Sequence, residues 1–379
     1  MHRTLALCMV LSLALVSCQS PILQTVETGD QLLQEQDPKY KFSRNQESSV
    51  DIQEAELLLA TFKELNDRFF DQAYILTSEQ MSAVRTLWDR GLYGYAPRDY
   101  IARSSKHGGQ RGQILSDLDT QIASVARISG LGSDNPGRHR RREAQPGQTG
   151  YIDGERTGRF VFSDEQGLVV SQSLKAMILG AMNIDQILNV HLDEAVVSNR
   201  QLIDDHEHQV LIKGRNYTAL EHHWDLAYGY YLQGLRAWAM GNGIRALRET
   251  SRRLDLAFTL GRIDIGYHLY DMLPQHVETI RREIAVVIRT RIKHLLIGGN
   301  TMANLREHAP FAFPMLSDAY GLIYCLQFLR DPRHGKPYFS YQEVQAMLHR
   351  LLRGRGFWDH ELLDQELSKL VGEIEQRMQ

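Results

Sequence analysis

Apolar residues recur at steps of three and four along most of this chain. Between positions 52 and 70 they fall at 52, 55, 58, 59, 62, 65 and 69, the stripe expected on one face of an α-helix. Similar stripes predict further helices over 78–90, 113–128, 164–193, 218–240, 244–260, 276–297, 313–330, 340–352 and 359–377. Glycine and proline separate these segments, and only 151–163 is expected to pair as a small hairpin. The pattern therefore predicts an all-α fold built from helical bundles.

The first 17 residues depart from this pattern and are typical of a secretory leader. A short basic start precedes the apolar run Leu5–Val16, whose 12 residues are fewer than the about 20 that span a bilayer. The run leads into Leu-Val-Ser-Cys, which resembles the lipobox of bacterial lipoproteins. The resemblance implies a signal peptide over 1–17 and a lipid on Cys18; an ordinary signal peptide is the alternative. Because no Asp follows Cys18, the resemblance points to the periplasmic side of the outer membrane.

Composition predicts the character of the segments between the helices and argues against one class of partner. Residues 18–39 are polar and are expected to form a flexible tether of about 25 Å. The 43 Lys and Arg residues are nearly balanced by 46 Asp and Glu residues, which argues against a nucleic-acid partner. The Gly-rich segment 130–150, with its basic run 138–142, is expected to be a disordered loop; a docking patch for an anionic partner is the alternative. Cys325 lies in an apolar stretch and is expected to be a core residue.

The densest group of unusual residues begins at Thr218. Thr218 and Glu221 have the spacing of a helix-capping box. On the helix that follows, Glu221 and Asp225 would lie one turn apart at the edge of an apolar face, with His222 three residues before Asp225. Because a buried carboxylate is costly without a cation, a donor or a metal, we expect a positive group opposite them. Asp185, on the packed face of the preceding helix, is a further candidate contact.

Two kinds of partner for these carboxylates remain open. Structural ion pairs would draw on basic or imidazole side chains of neighbouring helices, namely Arg245, Arg248, Arg252, Arg253, His268, His276, Arg281, Arg282 and His294. A metal or anion site would combine Glu221, His222, Asp225 and Asp185 from several helices. The sequence has no His-Glu-x-x-His motif, no cysteine pair and no calcium loop. It also lacks a nucleophile elbow, a phosphate loop and a dinucleotide fingerprint, so no enzymatic activity is expected.

Several segments together resemble an uncharacterised family of bacterial lipoproteins, the domain-of-unknown-function family 4856, which is similar to the imelysin-like proteins. The residues that carry the resemblance are 40–45, 48–50, 179–186, 217–225, 227–230 and 308–323. The resemblance covers about residues 40–375 and implies two related helical bundles and a role in periplasmic iron uptake. The imelysin-like Gly-x-His-x-x-Glu motif has only a partial match here, 266–271, which ends in Asp271. A divalent metal ion such as iron is the cofactor that the resemblance implies.

These observations lead to one domain organisation and three functional hypotheses. A signal peptide, 1–17, and a tether, 18–39, would precede a helical domain, 40–375, with a break between two bundles near 241–275. The first hypothesis is a non-enzymatic lipoprotein, held to the membrane through Cys18, that binds a metal ion or its carrier. The alternative is a structural or interaction scaffold in which the carboxylates only satisfy buried hydrogen bonds. A metallopeptidase is the third hypothesis and rests on the family label alone.

Overall fold

The computed structural model describes residues 39–70, 76–129, 142–152, 161–241 and 243–379. The predicted signal peptide, the lipidation site Cys18 and the tether up to Pro38 lie outside the described residues, as do residues 130–141 of the basic loop. Lys39–Gln379 form one compact unit.

Helices dominate the described residues, as the apolar stripes predict. The α-helices of the first half are α1 Gln53–Leu65, α2 Ser78–Arg90, α3 Pro97–Tyr100, α4 Arg111–Ser129, α5 Val170–Asp185, α6 Glu194–Val197 and α7 Arg200–Glu207. Those of the second half are α8 Ala219–Tyr230, α9 Arg236–Ala239, α10 Arg248–Gly266, α11 Leu273–Ile297, α12 Thr301–Glu307, α13 Phe313–Tyr324, α14 Tyr341–Leu351 and α15 His360–Arg377. The all-α prediction is confirmed.

Shorter elements connect or extend these helices. Short 3₁₀ turns span Ser105–Gln110, Arg245–Leu247, Tyr270–Met272, Ala309–Ala312, Cys325–Phe328 and Gly356–Trp358. Wider π-helical turns extend three helices, at Asn66–Phe70 after α1, Gln186–His191 after α5 and Tyr231–Leu235 after α8. The turn after α8 packs against helix α5, because a Cβ atom added at Gly234 would lie 2.2 Å from the side chain of Asn183. Such turns occur frequently at functional sites.

Two antiparallel hairpins complete the fold. Strands β1 Ser43–Arg44 and β2 Glu47–Ser48 pair near the N-terminus. Strands β3 Gly150–Ile152 and β4 Val161–Ser163 pair with Tyr151 opposite Phe162. The second pair confirms the small hairpin that the sequence predicts.

The core forms where α5 packs against α4 and α13, and where α11 packs against α10, α13 and α15. Helix α8 crosses α10 and also contacts α1 and the π-helical turn after α5. Large aromatic side chains fill these contacts, and Trp224, Tyr230, Tyr231 and Phe258 are fully buried. Within the described residues, none of the helices combines the length and hydropathy that a membrane-spanning helix needs.

Several predicted boundaries differ from the observed ones. The helix predicted from 276 begins at Leu273, because Pro274 has no backbone N–H to satisfy and fits the first helical turn. The connection predicted over 91–112 contains helix α3 and a 3₁₀ turn. Helix α10 lies within 241–275, where the sequence places a break, and the division into two bundles stays a prediction.

Candidate functional site

The start of α8 is fixed by the capping box that the sequence predicts. The hydroxyl of Thr218 accepts a hydrogen bond from the backbone N–H of Glu221 at 3.4 Å, and the Glu221 carboxylate accepts one from the backbone N–H of Thr218 at 2.8 Å. Glu221 is 3% exposed and Asp225 is fully buried. The first two turns of α8 therefore place both carboxylates in the interior, as the helical pattern predicts.

Arg262 of α10 is the cation that lies opposite these carboxylates. Its Nη2 atom is 2.9 Å from Oε1 of Glu221, and its Nε atom donates to Oδ1 of Asp225 at 3.0 Å. The guanidinium is as buried as its partners, with 2% of the residue exposed. The expectation of a positive group opposite Glu221 and Asp225 is confirmed.

Two further side chains reach the carboxylates from the start of the described chain. Arg44 of β1 donates from Nη1 and Nη2 to the two oxygens of Glu221 at 2.9 and 3.1 Å. The hydroxyl of Tyr40 donates to Oδ1 of Asp225 at 2.6 Å. We call Tyr40, Arg44, Glu221, Asp225 and Arg262 the carboxylate clamp. It joins residues 39–52, the N-terminal segment, to helices α8 and α10.

Further contacts hold the N-terminal segment in this position. The ring of Tyr40 stacks on that of Tyr228 of α8, with centroids 3.8 Å apart. The Arg262 guanidinium lies over the ring of Phe42 at 4.9 Å and donates to the hydroxyl of Ser49 at 3.3 Å. The side chain of Asn216 donates to the backbone oxygen of Arg44 at 2.8 Å. The segment is therefore held by stacking and by hydrogen bonds as well as by ion pairs.

Burial and charge act differently on the two carboxylates. Burial raises the pKa of Asp225 to about 7, although the Arg262 guanidinium and the Tyr40 hydroxyl lower it. Burial also raises the pKa of Glu221, but Arg262, Arg44 and the Thr218 N–H outweigh it, so that pKa lies below its ordinary value. Oδ2 of Asp225 is buried and has no hydrogen-bond partner among the described residues. Glu221 is therefore the ionised member of the clamp, and Asp225 titrates near neutrality.

His222, the third predicted ligand, faces away from the clamp. Its ring stacks on that of Tyr217 with centroids 4.8 Å apart, and the charges that act on it are those of Asp51, Glu54 and Arg215. Its neighbour His223 approaches His191 at the end of the π-helical turn after α5, with the two Nδ1 atoms 3.1 Å apart.

Asp185, the fourth predicted ligand, belongs to a separate buried network. One carboxylate oxygen accepts the backbone N–H of Arg103 at 2.9 Å. The other lies 2.7 Å from Nε2 of His107 and accepts from the amide of Asn189 at 3.1 Å. Of the four predicted site residues, the structure therefore brings together only Glu221 and Asp225.

Two of the arginines that the sequence offers as partners of the clamp form ion pairs elsewhere. Arg252 pairs with Glu249 at 3.5 Å and Arg253 pairs with Glu283 at 2.8 Å. The prediction that Arg252 and Arg253 face Glu221 and Asp225 is wrong, since Arg262, farther along α10, fills that place. A signal for the N-terminal half did exist, because Tyr40 and Arg44 lie in the first segment that carries the family resemblance.

No group of three or more His, Cys, Asp or Glu side chains within the described residues could hold a metal ion. Cys325 is fully buried, and burial raises the pKa of its thiol. Its sulfur donates a weak hydrogen bond to the backbone oxygen of Gly321 at 3.2 Å. Cys325 is therefore the core residue that the sequence predicts.

Comparison with known proteins gives one family. The chain belongs to the family of the domain of unknown function DUF4856, whose model matches residues 37–379. No curated protein and no solved structure matches the chain significantly. The predicted similarity to imelysin-like proteins therefore stays a prediction.

Proposed function

We propose that this member of the DUF4856 family is a lipoprotein, anchored through Cys18 on the periplasmic side of the outer membrane, that acts as a non-enzymatic interaction scaffold. The lipobox-like sequence that ends at Cys18 supports the anchor and the location. The geometry of the carboxylate clamp supports the scaffold over the metal-binding alternative.

The observation that carries the proposal is the saturation of Glu221. An ionised carboxylate offers about four lone-pair sites for hydrogen bonds. Glu221 receives Nη1 and Nη2 of Arg44, Nη2 of Arg262 and the backbone N–H of Thr218, all at 2.8–3.1 Å. A metal ion would have to displace at least one guanidinium from a buried position, which would leave that charge unpaired at a high free-energy cost.

The clamp gives the N-terminal segment a fixed position on the helical body. The segment precedes α1 directly, and its polypeptide leads back in sequence towards Cys18. Force or motion at a lipid anchor would therefore reach α8 and α10 through Tyr40 and Arg44. In this role the motif that includes Glu221 and Asp225 is an attachment point, and the partner-binding surface lies elsewhere on the helices.

Limited proteolysis with trypsin tests this role. In Glu221→Gln the loss of the ionised partner of Arg44 should release the N-terminal segment, so cleavage after Lys41 and Arg44 should accelerate at least tenfold while the helical body stays intact. Asp255→Asn is the matched control, because Asp255 is a buried carboxylate of α10 that pairs with Arg236 at 3.1 Å outside the segment. It should leave cleavage at Lys41 and Arg44 unchanged.

Metal analysis and cell fractionation can give results that contradict the proposal. Stoichiometric metal in protein purified without chelator, lost in Glu221→Ala/Asp225→Ala, would replace the scaffold by the metal-binding hypothesis. Cys18→Ser should move the protein from the membrane to the soluble fraction and abolish acylation of the mature N-terminus. An unchanged membrane fraction in that variant would rule out the anchor.

A further inference from the structure

Two arginines outside the clamp, one buried and one half-buried, have no ion-paired carboxylate among the described residues. Arg330 is 5% exposed, and its Nε atom donates to the side-chain oxygen of Asn189 at 2.6 Å. Arg281 of α11 is half-buried, and its Nε atom is buried with no hydrogen-bond partner. Among the described residues neither guanidinium forms an ion pair with Asp or Glu. A guanidinium in such a place is costly unless an anion joins it.

Of the carboxylates whose charges act on these arginines, Asp185 and Asp193 have other partners, and Glu194 of α6 acts on Arg281 without a direct contact. Asp193 pairs with Lys106 at 3.0 Å and caps α6 by accepting the backbone N–H of Ala195 at 3.0 Å. Asp185 accepts from His107, Asn189 and a backbone N–H, as described above. The charge of Asp193 acts on both arginines and that of Asp185 acts on Arg330, in each case without a direct contact.

Both arginines flank one loop, 331–337. Arg330 stands at its base and pairs with Pro337 in an isolated β-bridge. Gly335 has φ +65°, and a Cβ atom there would lie 3.5 Å from Nη1 of Arg281, so the loop backbone lies against that guanidinium. Arg330 at the base of the loop and Arg281 against Gly335 therefore both border this loop. Burial lowers the pKa of Arg330.

The loop itself adds positive charge. Arg333 and His334 both approach the buried Asp331, at 2.7 and 3.4 Å, so one carboxylate serves two basic side chains. Lys336 is exposed and makes no ion pair with a described residue. The cluster of Arg281, Arg330 and loop 331–337 therefore holds three basic side chains in its loop, Arg333, His334 and Lys336, against one loop carboxylate, that of Asp331.

We propose that Arg281, Arg330 and loop 331–337 form a binding site for an oxyanion, in particular a phosphate group. The forked donors of arginine match the oxygens of phosphate, and two guanidiniums can share one such group. This site is distinct from the carboxylate clamp and does not rest on the function proposed above.

Titration of the full chain with inorganic phosphate tests the proposal. At constant ionic strength, with chloride as the replaced anion, phosphate should raise the melting temperature saturably, by about 4 °C at a hundredfold excess over Kd. Arg281→Gln should lose the shift and weaken phosphate binding at least tenfold by calorimetry. The matched control is Arg291→Gln, because Arg291 is also on α11 and also has a buried Nε without a partner. That variant should keep the phosphate-dependent shift.

The outcomes separate free phosphate from an esterified group. Glycerol phosphate that binds as tightly as inorganic phosphate identifies a phosphate monoester on a larger molecule, and binding of the inorganic ion alone identifies free phosphate. A wild-type protein with no saturable response to either compound overturns the proposal. Equal retention of the response in Arg281→Gln and Arg291→Gln, each shown by circular dichroism to be folded, also overturns it.

Discussion

The carboxylate clamp and the Arg281–Arg330 cluster both bury arginine, but they balance its charge in opposite ways. Arg262 lies between two carboxylates and contacts each at about hydrogen-bond distance, 2.9 and 3.0 Å. Arg330 is nearly as buried, yet its one side-chain partner among the described residues is the neutral amide of Asn189. Buried arginine therefore stabilises the fold through ion pairs in the first region, whereas in the second region its charge has no carboxylate partner and is available to the anion that we propose.

The largest expected effect follows from removing Arg262 of the clamp, and removing Arg281 of the other region provides the comparison. Arg262→Met leaves Glu221 and Asp225 without their shared cation and should lower the free energy of unfolding by about 3 to 5 kcal/mol. Arg281→Met removes a cation that has no carboxylate partner, so the change should stay below about 1 kcal/mol. Urea denaturation of both variants measures the difference. Equal losses would remove the distinction between the two regions.

The next effect separates the two carboxylates inside the clamp. Glu221→Gln replaces the ionised acceptor of two guanidiniums and should lower the free energy of unfolding by about 2 to 3 kcal/mol. Asp225→Asn should cost less at pH 7, because the pKa of Asp225 is about 7 and one of its oxygens has no partner. Denaturant titration at pH 7 ranks the two variants, and the reverse order would contradict the assigned charge states.

The stability that the clamp provides should also depend on pH, because Asp225 titrates. The arginine cluster gives no reason to expect such a dependence. The folded-state pKa of Asp225, about 7, lies above its ordinary value of 3.8, so its contribution to stability is complete below about pH 4 and is lost as the pH rises towards 7. The slope should not exceed about 1.4 kcal/mol per pH unit. The stability of wild-type protein relative to Asp225→Asn should therefore fall between pH 4 and 7. A pH-independent difference would argue against this assignment.

The buried histidines change the free energy of unfolding with pH in the opposite direction. The effect of Asp225 is therefore measured as the difference between wild type and Asp225→Asn. Burial lowers the pKa of His191, His206, His222 and His223 below the ordinary value, for His223 to about 4. Their contribution is present above pH 6.5 and is lost as the pH falls. Both proteins share this loss, so it cancels in the difference between wild type and Asp225→Asn.

The smallest expected effect concerns one hydrogen bond of the clamp. Tyr40→Phe keeps the stacking on Tyr228 but removes the donor to Asp225, and should lower the free energy of unfolding by about 1 kcal/mol. Tyr93→Phe is the control, since Tyr93 is 81% exposed and should show no change. Thermal denaturation of the two variants side by side measures the effect. A loss in Tyr40→Phe no larger than in Tyr93→Phe would show that the bond contributes nothing.

Features set by local sequence could be predicted, and features set by distant contacts could not. The capping box of Thr218 and Glu221 depends on residues three positions apart, so the sequence identifies it. Arg44 and Glu221 are 177 positions apart, and no periodic pattern links them. The sequence therefore predicts that a cation faces Glu221 without identifying which one, and it groups Glu221 with Asp185 and His222, which the fold separates.

The π-helical turn Gln186–His191 makes part of this chain sensitive to its exact length. A wide turn of this kind holds an extra residue, and a helix advances by about 100° for each residue. Deleting one residue just before Asn189, with the turn kept at its present width, would move Asn189 back by one position and swing its amide about a quarter turn around the axis. Arg330 would then lose the acceptor that orients its guanidinium, so an internal deletion here would disturb a loop that lies more than a hundred positions later.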